Sequence, residues 1–317
     1  MQCKTESIEL EKINTNNDFY KITTCNEIDE ISHSIHEIGI INPPVLVQDE
    51  QKFIIVSGFR RIKAAEKNGF SHIQAKIVHY PQKSIECVKI AISDNSFQRK
   101  LNLIEQARSI RLLTLFIAAP EEIADTASKL NLPGNISVIE KLNTISRSDP
   151  IIQDFILSDS LSMTTILLIE KLEEKQRIPI ARFIQSLNVG LNIQRELFIL
   201  LTEISFREGI DPIELLAEKF IADILKNDNL EPKQKAVQIR KLLRMRRFPE
   251  LSRAESHFFD CMKKLKLDPS IKLHPPKDFE STTYSFNLFF NSYEELLGCR
   301  KKLDEVIDNP VMRKIIE

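Results

Sequence analysis

A glycine followed closely by two arginines lies between an apolar run and a helical stretch. Residues 53–56 predict a strand, and a helix is predicted from Gly58 to about residue 68. The N-terminus of a helix carries unpaired N–H groups and a partial positive charge, so it attracts anions. Gly58 lets a phosphate approach the backbone, and Arg60 or Arg61 can add charge-assisted hydrogen bonds. The segment predicts a phosphate site, with a tight turn bearing two solvated arginines as the alternative.

Two side chains with metal-binding oxygens, Asp94 and Asn95, lie near the end of a helix predicted over about residues 84–97. Carboxylate and amide oxygens suit Mg²⁺, which normally accompanies a triphosphate and keeps several of its waters. The alternative is local, because Asp and Asn also hydrogen-bond to the backbone at helix ends. The residues therefore indicate either a metal–phosphate site or a helix end.

These residues are positioned by strands and helices that alternate over the first hundred residues. An amphipathic helix ends at Gly39, and strands are predicted at 45–47, 53–56 and 73–77. Beyond Asn102 strands disappear, and helices are predicted at about 103–118, 120–130, 136–146, 150–158, 162–173, 176–188 and onward to Arg247. After Pro249 an alternating aromatic strand (Tyr284, Phe286, Leu288, Phe290) and a helix with a Ser292–Glu295 capping box are predicted.

Four elements, in this order, resemble the N-terminal domain of the ParB chromosome-partition proteins. They are the helix end Ser34–Gly39, the segment Ile41–Val47, the turn Gly58–Arg61 and the region Asp94–Ala107. The helices that follow, in particular Pro150–Gln153 and Leu161–Ser162, resemble the family's central helix-turn-helix domain.

The resemblance implies the fold class of the chain and its division into three domains. The expected fold is a ParB/sulfiredoxin-like α+β N-terminal domain over residues 1–100, an all-α helix-turn-helix middle region over 101–248 and a small α/β C-terminal domain over 249–317. The resemblance also implies a binding site for CTP and Mg²⁺. It implies that, when this site is occupied, a dimer of the protein closes into a clamp on DNA.

Site residues carry over from the family by position. Asp94 and Asn95 are implied as metal ligands. The residues implied near the nucleotide are Gly39, Asn42, Pro43, Gly58, Phe59, Arg60, Arg61, Asn95 and Arg99.

The sequence departs from the family pattern at four points. Phe59 stands where the common motif has a glutamate, which questions CTP hydrolysis: a weak CTPase activity is left open and catalytic residues stay unassigned. Lys21 stands in for the arginine of a Gln-Pro-Arg segment, and Asp94 is shorter than the family's glutamate. One extra residue precedes Gln98-Arg99, which leaves Ser96 as the alternative for the asparagine position.

The charge of the chain is unevenly distributed, although its net value is −1. From Leu230 to Leu267 there are 11 Lys and Arg against 4 Asp and Glu, which leaves −8 on the remainder. Within this segment a helical stripe suits DNA phosphate contacts, which give affinity without sequence information. The alternative is a solvated face paired with the acidic remainder of the chain. The stripe consists of Lys233, Arg240, Arg244 and Arg247.

The turn from Leu130 to Asn135 separates two predicted helices, the outline of a helix-turn-helix. A recognition helix normally presents polar groups to base edges and basic residues to phosphates. The span 119–146, however, has 2 Lys and Arg against 4 Asp and Glu. DNA is therefore expected to bind mainly through the basic stripe, and a helical packing unit that keeps the family shape is the alternative here.

The expected partners are DNA and a second copy of the chain, and a partner ATPase is left open. The sequence contains no run of about 18 apolar residues, and its first residues lack the apolar core of a signal peptide. A cytoplasmic protein without a membrane partner is therefore predicted. The five cysteines are scattered without a CxxC pair, which argues against a zinc or disulfide framework.

Two other functions remain open at this point. The fold class also resembles sulfiredoxin and small-molecule kinases, so an enzyme that transfers a phosphoryl group, with Asp94 or Glu66 as base, is the main alternative. No cysteine lies within Gly58–Arg61, which counts against sulfiredoxin chemistry. The other is an interaction protein that keeps the fold and has lost both ligands.

Overall fold

The structure is a computed structural model that describes residues 3–279 and 281–316. The chain forms two compact units, Met1–Gln185 and Ser186–Glu317. The fold class predicted from the sequence is confirmed: an α+β N-terminal part, a helical middle and a small C-terminal α/β part. The finer division into three domains at residues 100 and 248 stays a prediction.

The first unit begins with a five-stranded mixed sheet in the order β1-β5-β3-β4-β2. β3 and β4 form an antiparallel hairpin, while β5 runs parallel to β3 and antiparallel to β1. Leu46, Ile54 and Ile55 are almost fully buried, as expected for strands covered on both faces. The strands are β1 (Cys3–Glu9), β2 (Ile13–Asn14), β3 (Val45–Asp49), β4 (Lys52–Ser57) and β5 (His72–Val78).

Three helices belong to this sheet, and six more follow it as far as the boundary between the units. The first three are α1 (Asp29–Ile38), α2 (Phe59–Lys67) and α3 (Ile85–Ser96). The others are α4 (Leu103–Thr114), α5 (Pro120–Lys129), α6 (Ile136–Ile145), α7 (Pro150–Leu157), α8 (Met163–Ile169) and α9 (Glu174–Ser186).

The connection between α5 and α6 is a tight turn with defined contacts. Asn131 has a left-handed φ of 58°, and its amide donates to the Ser96 carbonyl at 2.8 Å. A Cβ on Gly134 would lie 1.8 Å from Ser128 Oγ, so a larger residue there would require this hydroxyl to rotate away. Asn135 caps α6 by accepting from the Val138 N–H at 3.2 Å. The Asn135 side chain is therefore used as a helix cap.

The second unit consists of helices and one hairpin. α13 ends at Arg247 and α14 begins at Pro249, and the two helices pack together. Its helices are α10 (Leu191–Glu208), α11 (Pro212–Ala217), α12 (Lys219–Lys226), α13 (Pro232–Arg247), α14 (Pro249–Leu265), α15 (Tyr293–Ile307) and α16 (Pro310–Ile316). Its strands β6 (Ile271–His274) and β7 (Ser285–Leu288) pair antiparallel.

The predicted aromatic strand near the C-terminus is shorter than expected. β7 ends at Leu288, so Phe290 lies beyond it and is 47% exposed. Tyr284 and Phe286 pack against a core formed by α14, β6 and α16. The predicted capping box is half present: Ser292 Oγ accepts from the Glu295 N–H, whereas Glu295 itself accepts from the Asn291 N–H, one residue early.

Candidate functional site

The turn between β4 and α2 depends on a glycine. Gly58 has φ 99°, and a Cβ at this position would lie 2.6 Å from the Cβ of Pro44. Such a contact cannot be relieved by a flexible side chain, because Pro44 is a rigid ring at the start of β3. Glycine therefore lets the two chain segments approach each other, and this approach places the start of α2 against the loop before β3.

The start of α2 has free backbone donors and two arginines. Gly58 is the N-cap residue, and no side chain caps the helix, so its first N–H groups can receive an anion. Arg60 donates to the Glu27 carbonyl at 3.0 and 2.7 Å. Arg61 donates to the Asn42 carbonyl and, more weakly, to that of Pro43 at 3.4 Å. Since carbonyl oxygens are neutral, these contacts orient the guanidinium groups without cancelling their charge.

Asp94, at the end of α3, makes an ion pair with Arg61, with Nη2 and Oδ2 3.2 Å apart. The same oxygen accepts a hydrogen bond from the Ser57 hydroxyl, and Gln98 donates to the other oxygen at 2.9 Å. Both carboxylate oxygens are thus engaged by donors of the protein. Glu66, the other base considered, is exposed and lies outside the cavity lining.

These groups open into a cavity of about 300 Å³. Of the predicted site residues, the structure brings together Asn42, Gly58, Phe59, Arg60, Arg61, Asp94, Asn95 and Arg99 in its lining. Gly39 and Pro43 lie outside the described lining. Phe59 is only 6% exposed, so its side chain belongs to the core, and it is its backbone N–H at the start of α2 that faces an anion.

Arg99 is held by a buried carboxylate. Its two terminal nitrogens lie 2.6 and 2.7 Å from the oxygens of Glu105, which is 1% exposed. Burial raises the pKa of Glu105, but hydrogen bonds from Arg99 and from the N–H groups of Thr24 and Asn102 outweigh it, so the pKa lies below its ordinary value. Glu105 and Asn102 also form the capping box of α4. Arg99 therefore links the cavity to the first helix after the domain.

The donors around the cavity fit a magnesium ion that is shared with phosphate. Asp94 offers one carboxylate. The side-chain nitrogen of Asn95 donates to the Ala91 carbonyl at 2.8 Å, so this hydrogen bond does not use the Asn95 side-chain oxygen. Among the residues that the structure describes, no group of three His, Cys, Asp or Glu residues could hold a metal. Mg²⁺ commonly uses one or two carboxylates together with substrate phosphates. Asp94 and Asn95 would hold it only together with such a ligand.

Three contributors to the site were not identified from the sequence. Ser57 and Gln98 hold Asp94, and Glu105 holds Arg99. An Asn followed three residues later by a Glu is typical of a capping box, so the Asn102–Glu105 pair was detectable. The roles of Ser57 and Gln98 depend on how α3 packs against β4, which no local pattern specifies.

The basic stripe on α13 lies against acidic side chains of its own unit. Arg240 and Arg244 pair with Glu196 of α10 at 2.9 and 3.4 Å. Arg247 pairs with Glu203 of the same helix at 2.8 Å. Lys233 is exposed. Much of the positive charge that the sequence concentrates here is therefore compensated by α10.

The fold and the cavity define a class: an α+β domain with an arginine-bearing cleft at a strand–helix turn, continued by helices in the same compact unit. Residues 2–96 match the family model of the ParB N-terminal domain. The prediction of a ParB-like chain is confirmed by this match and by the curated relatives.

Curated relatives share this N-terminal part. A nucleoid occlusion protein from Geobacillus is 33% identical over 150 residues, which covers 45% of this chain and 51% of the relative. A probable chromosome-partitioning protein ParB from Campylobacter jejuni is 30% identical over 103 residues, or 32% and 36% of the two chains. One from Helicobacter pylori is 25% identical over 143 residues, or 45% and 47%. The chain thus spans a third to a half of the length of these relatives.

Solved structures resemble the chain only loosely. The C-terminally truncated ParB of Caulobacter crescentus complexed with CTP-gamma-S is 22% identical, with a TM-score of 0.27, over 57% of this chain and 98% of that one. The same protein complexed to the centromeric parS site is 18% identical, with a TM-score of 0.35, over 61% and 97%. Scores this low support no argument about this chain. Among the described helices, none is both long and apolar enough to cross a bilayer.

Proposed function

We propose that the chain is a DNA-associated, ParB-like protein whose N-terminal domain binds a nucleoside triphosphate as a switch ligand. CTP with Mg²⁺ is the ligand that the resemblance to ParB proteins implies, and chromosome or plasmid partition or gene regulation is the setting. A homodimer and a partner ATPase are expectations of the same resemblance. The curated relatives are named for chromosome partitioning and nucleoid occlusion, which agrees with this setting.

One observation carries the proposal: an uncapped helix N-terminus and two arginines converge on one cavity. Helix N-termini and guanidinium groups are the usual protein ligands of phosphate oxygens. The volume, about 300 Å³, is at the lower limit of small-molecule sites and suits a phosphate chain.

The experiment is a calorimetric titration with CTP, ATP and GTP, each with and without Mg²⁺. We expect wild type to bind CTP with Mg²⁺ and Arg60→Ala to bind it at least about tenfold more weakly, because a charge-assisted contact to phosphate contributes on the order of 1.5–3 kcal/mol. Lys89→Ala is the matched control, since Lys89 is exposed on α3 and is not among the residues lining the cavity.

Two results would count against the nucleotide switch. The first is no binding of CTP by wild type at millimolar concentration in the presence of Mg²⁺. The second is equal CTP affinity for Arg60→Ala and Lys89→Ala. Release of phosphate from CTP during the titration would instead favour the enzyme alternative, and unchanged nucleotide and DNA affinity in an Arg60→Ala, Arg61→Ala double variant would favour an interaction protein.

A further inference from the structure

Arg60 and Arg61, the two cavity arginines at the start of α2, differ in their partners. Within the part of the chain that the structure describes, the Arg60 side chain donates to the neutral Glu27 carbonyl and pairs with no carboxylate, so its charge is uncompensated. Arg61 directs one nitrogen to backbone carbonyls and the other to Asp94, a full negative charge. The side chains of Arg61 and Asp94 are 19% and 29% exposed, so solvent screens their attraction less than it screens a surface pair. Arg61 is thus neutralised from inside the cavity, and Arg60 is not.

Asp94 is held in this position by more than Arg61. The Ser57 hydroxyl, 3% exposed as a residue, donates to the oxygen that faces Arg61, and Gln98 donates to the other oxygen. Both donors are neutral, so they orient the carboxylate without reducing its charge. A phosphate entering the cavity meets a negative charge beside the guanidinium that it would otherwise bind, and like charges at such distances disfavour binding strongly.

We infer that Asp94 is an internal competitor of the phosphate: it occupies Arg61 in the free protein, and a phosphate chain binds with full affinity only once the carboxylate has exchanged Arg61 for Mg²⁺. The inference rests on the phosphate-binding part of the proposed function. It assigns two consecutive roles to one side chain, and it explains why an aspartate that neutralises Arg61 lies in a cavity suited to phosphate. Mg²⁺ dependence is then a property of this carboxylate, and not only of the nucleotide.

The test is calorimetry on the full chain with inorganic tripolyphosphate and with CTP, in EDTA or in Mg²⁺. Asp94→Asn keeps the size of the side chain and removes its charge. In EDTA we expect this variant to bind tripolyphosphate about tenfold more tightly than wild type. For CTP, the gain in affinity that Mg²⁺ produces in wild type should shrink to about twofold in the variant, because the neutral amide no longer needs the metal.

Two further variants serve as a control and as a second test of the inference. Asp29→Asn is the matched control, since Asp29 is an exposed carboxylate of α1 paired with Lys67 at 2.6 Å, outside the cavity lining, and its removal should leave tripolyphosphate affinity unchanged. Gln98→Ala removes one of the hydrogen-bond donors that hold Asp94. Because Gln98 is exposed, this substitution should not impair folding. It should tighten binding in EDTA by up to about fivefold, since one hydrogen bond contributes about 1 kcal/mol.

The inference is overturned if Asp94→Asn and Gln98→Ala both bind tripolyphosphate in EDTA no more tightly than wild type. Suppose that neither variant tightens tripolyphosphate binding, but wild type binds CTP with Mg²⁺ and Arg60→Ala does not. The competitor role of Asp94 is then wrong, and the proposed function still stands. If Asp94→Asn tightens tripolyphosphate binding while CTP fails to bind any variant, the competitor role stands and the nucleotide proposal fails.

Discussion

At the scale of single residues, Gly58 is a position where substitution should be poorly tolerated. Its φ of 99° is in the region that side chains with a Cβ rarely adopt, and Pro44 occupies the space that a Cβ would need. The same backbone approach creates the cavity mouth, because Pro44 and Asn42 belong to the loop that meets the start of α2. One residue therefore connects the stability of the turn with access to the cleft.

We expect Gly58→Ala to lower the free energy of unfolding by about 2–4 kcal/mol, the sum of backbone strain and overpacking. Gly69→Ala is the matched control: Gly69 also has a positive φ, 73°, but a Cβ there meets nothing within 4 Å. It should cost only about 1–2 kcal/mol. Urea denaturation followed by circular dichroism measures both values, and equal losses would show that the contact with Pro44 is relieved at no cost.

The sequence indicated which residues of the turn could contact a phosphate, but it did not indicate which side chains of the cavity pair with each other. Gly58, Arg60 and Arg61 follow a strand at the start of a helix, and that order indicates an anion site or a tight turn with two solvated arginines. The pairing of Arg61 with Asp94 joins positions 33 residues apart on two helices, α2 and α3, so no local pattern indicates it. Phe59 was carried over as a nucleotide residue by position, whereas the helix turns its side chain into the core.

At the scale of elements, α13 is joined to its neighbours by a network of charges. Arg246 pairs with Glu208 at the end of α10 and with Glu218 at the start of α12, and its guanidinium lies 5.9 Å from the ring centroid of Phe220. Arg207 donates to the Arg246 and Arg247 carbonyls at the last turn of α13. A single arginine therefore fixes the ends of three helices, which no periodicity in the sequence indicates.

The pH dependence of stability should reveal this network. Hydrogen bonds from Arg246 and Arg207 hold the pKa of Glu208 at about 2, below its ordinary value of 4.5. Because the folded pKa is depressed, the stabilisation is present above pH 4.5 and is lost as the pH falls towards 2. Glu208→Gln should therefore be less stable than wild type at pH 7, by about 1 kcal/mol, and the difference should vanish near pH 2.

Thermal and urea unfolding at a series of pH values measures this difference. Glu214→Gln, an exposed change on α11 of the same unit, should follow wild type at every pH. A constant gap between Glu208→Gln and wild type down to pH 2 would mean that the carboxylate keeps its charge and that the gap has another origin.

At the scale of the whole molecule, the distribution of charge decides how DNA can bind. The net charge of −1 and the acidic span 119–146 leave the segment 230–267 as the most basic part of the chain. Its arginines, however, are largely engaged by α10. The sequence showed where cations accumulate and could not show their partners, since Glu196 lies more than forty residues away.

We expect the chain to bind duplex DNA with a shallow salt dependence, and Glu196→Gln to bind more tightly. The substitution frees Arg240 and removes one of the two carboxylates that Arg244 contacts, the other being Glu255. Each released cation that reaches a phosphate steepens the slope of log affinity against log salt by about 0.9. Fluorescence anisotropy at several salt concentrations measures this, with Glu214→Gln as control. Equal slopes for both variants would place DNA binding elsewhere than on α13.

The contacts around Ser96 and Glu105 have a consequence for cooperativity. Asn131 holds the Ser96 carbonyl, and Glu105 binds Arg99 and the Thr24 backbone, so these hydrogen bonds run between the first hundred residues and the helices after them. Breaking them would leave a nearly fully buried carboxylate without its donors, which is costly in a folded interior. Because loss of one part exposes charge in the other, we expect the first hundred residues and α4 to α6 to unfold in a single transition and not one after the other.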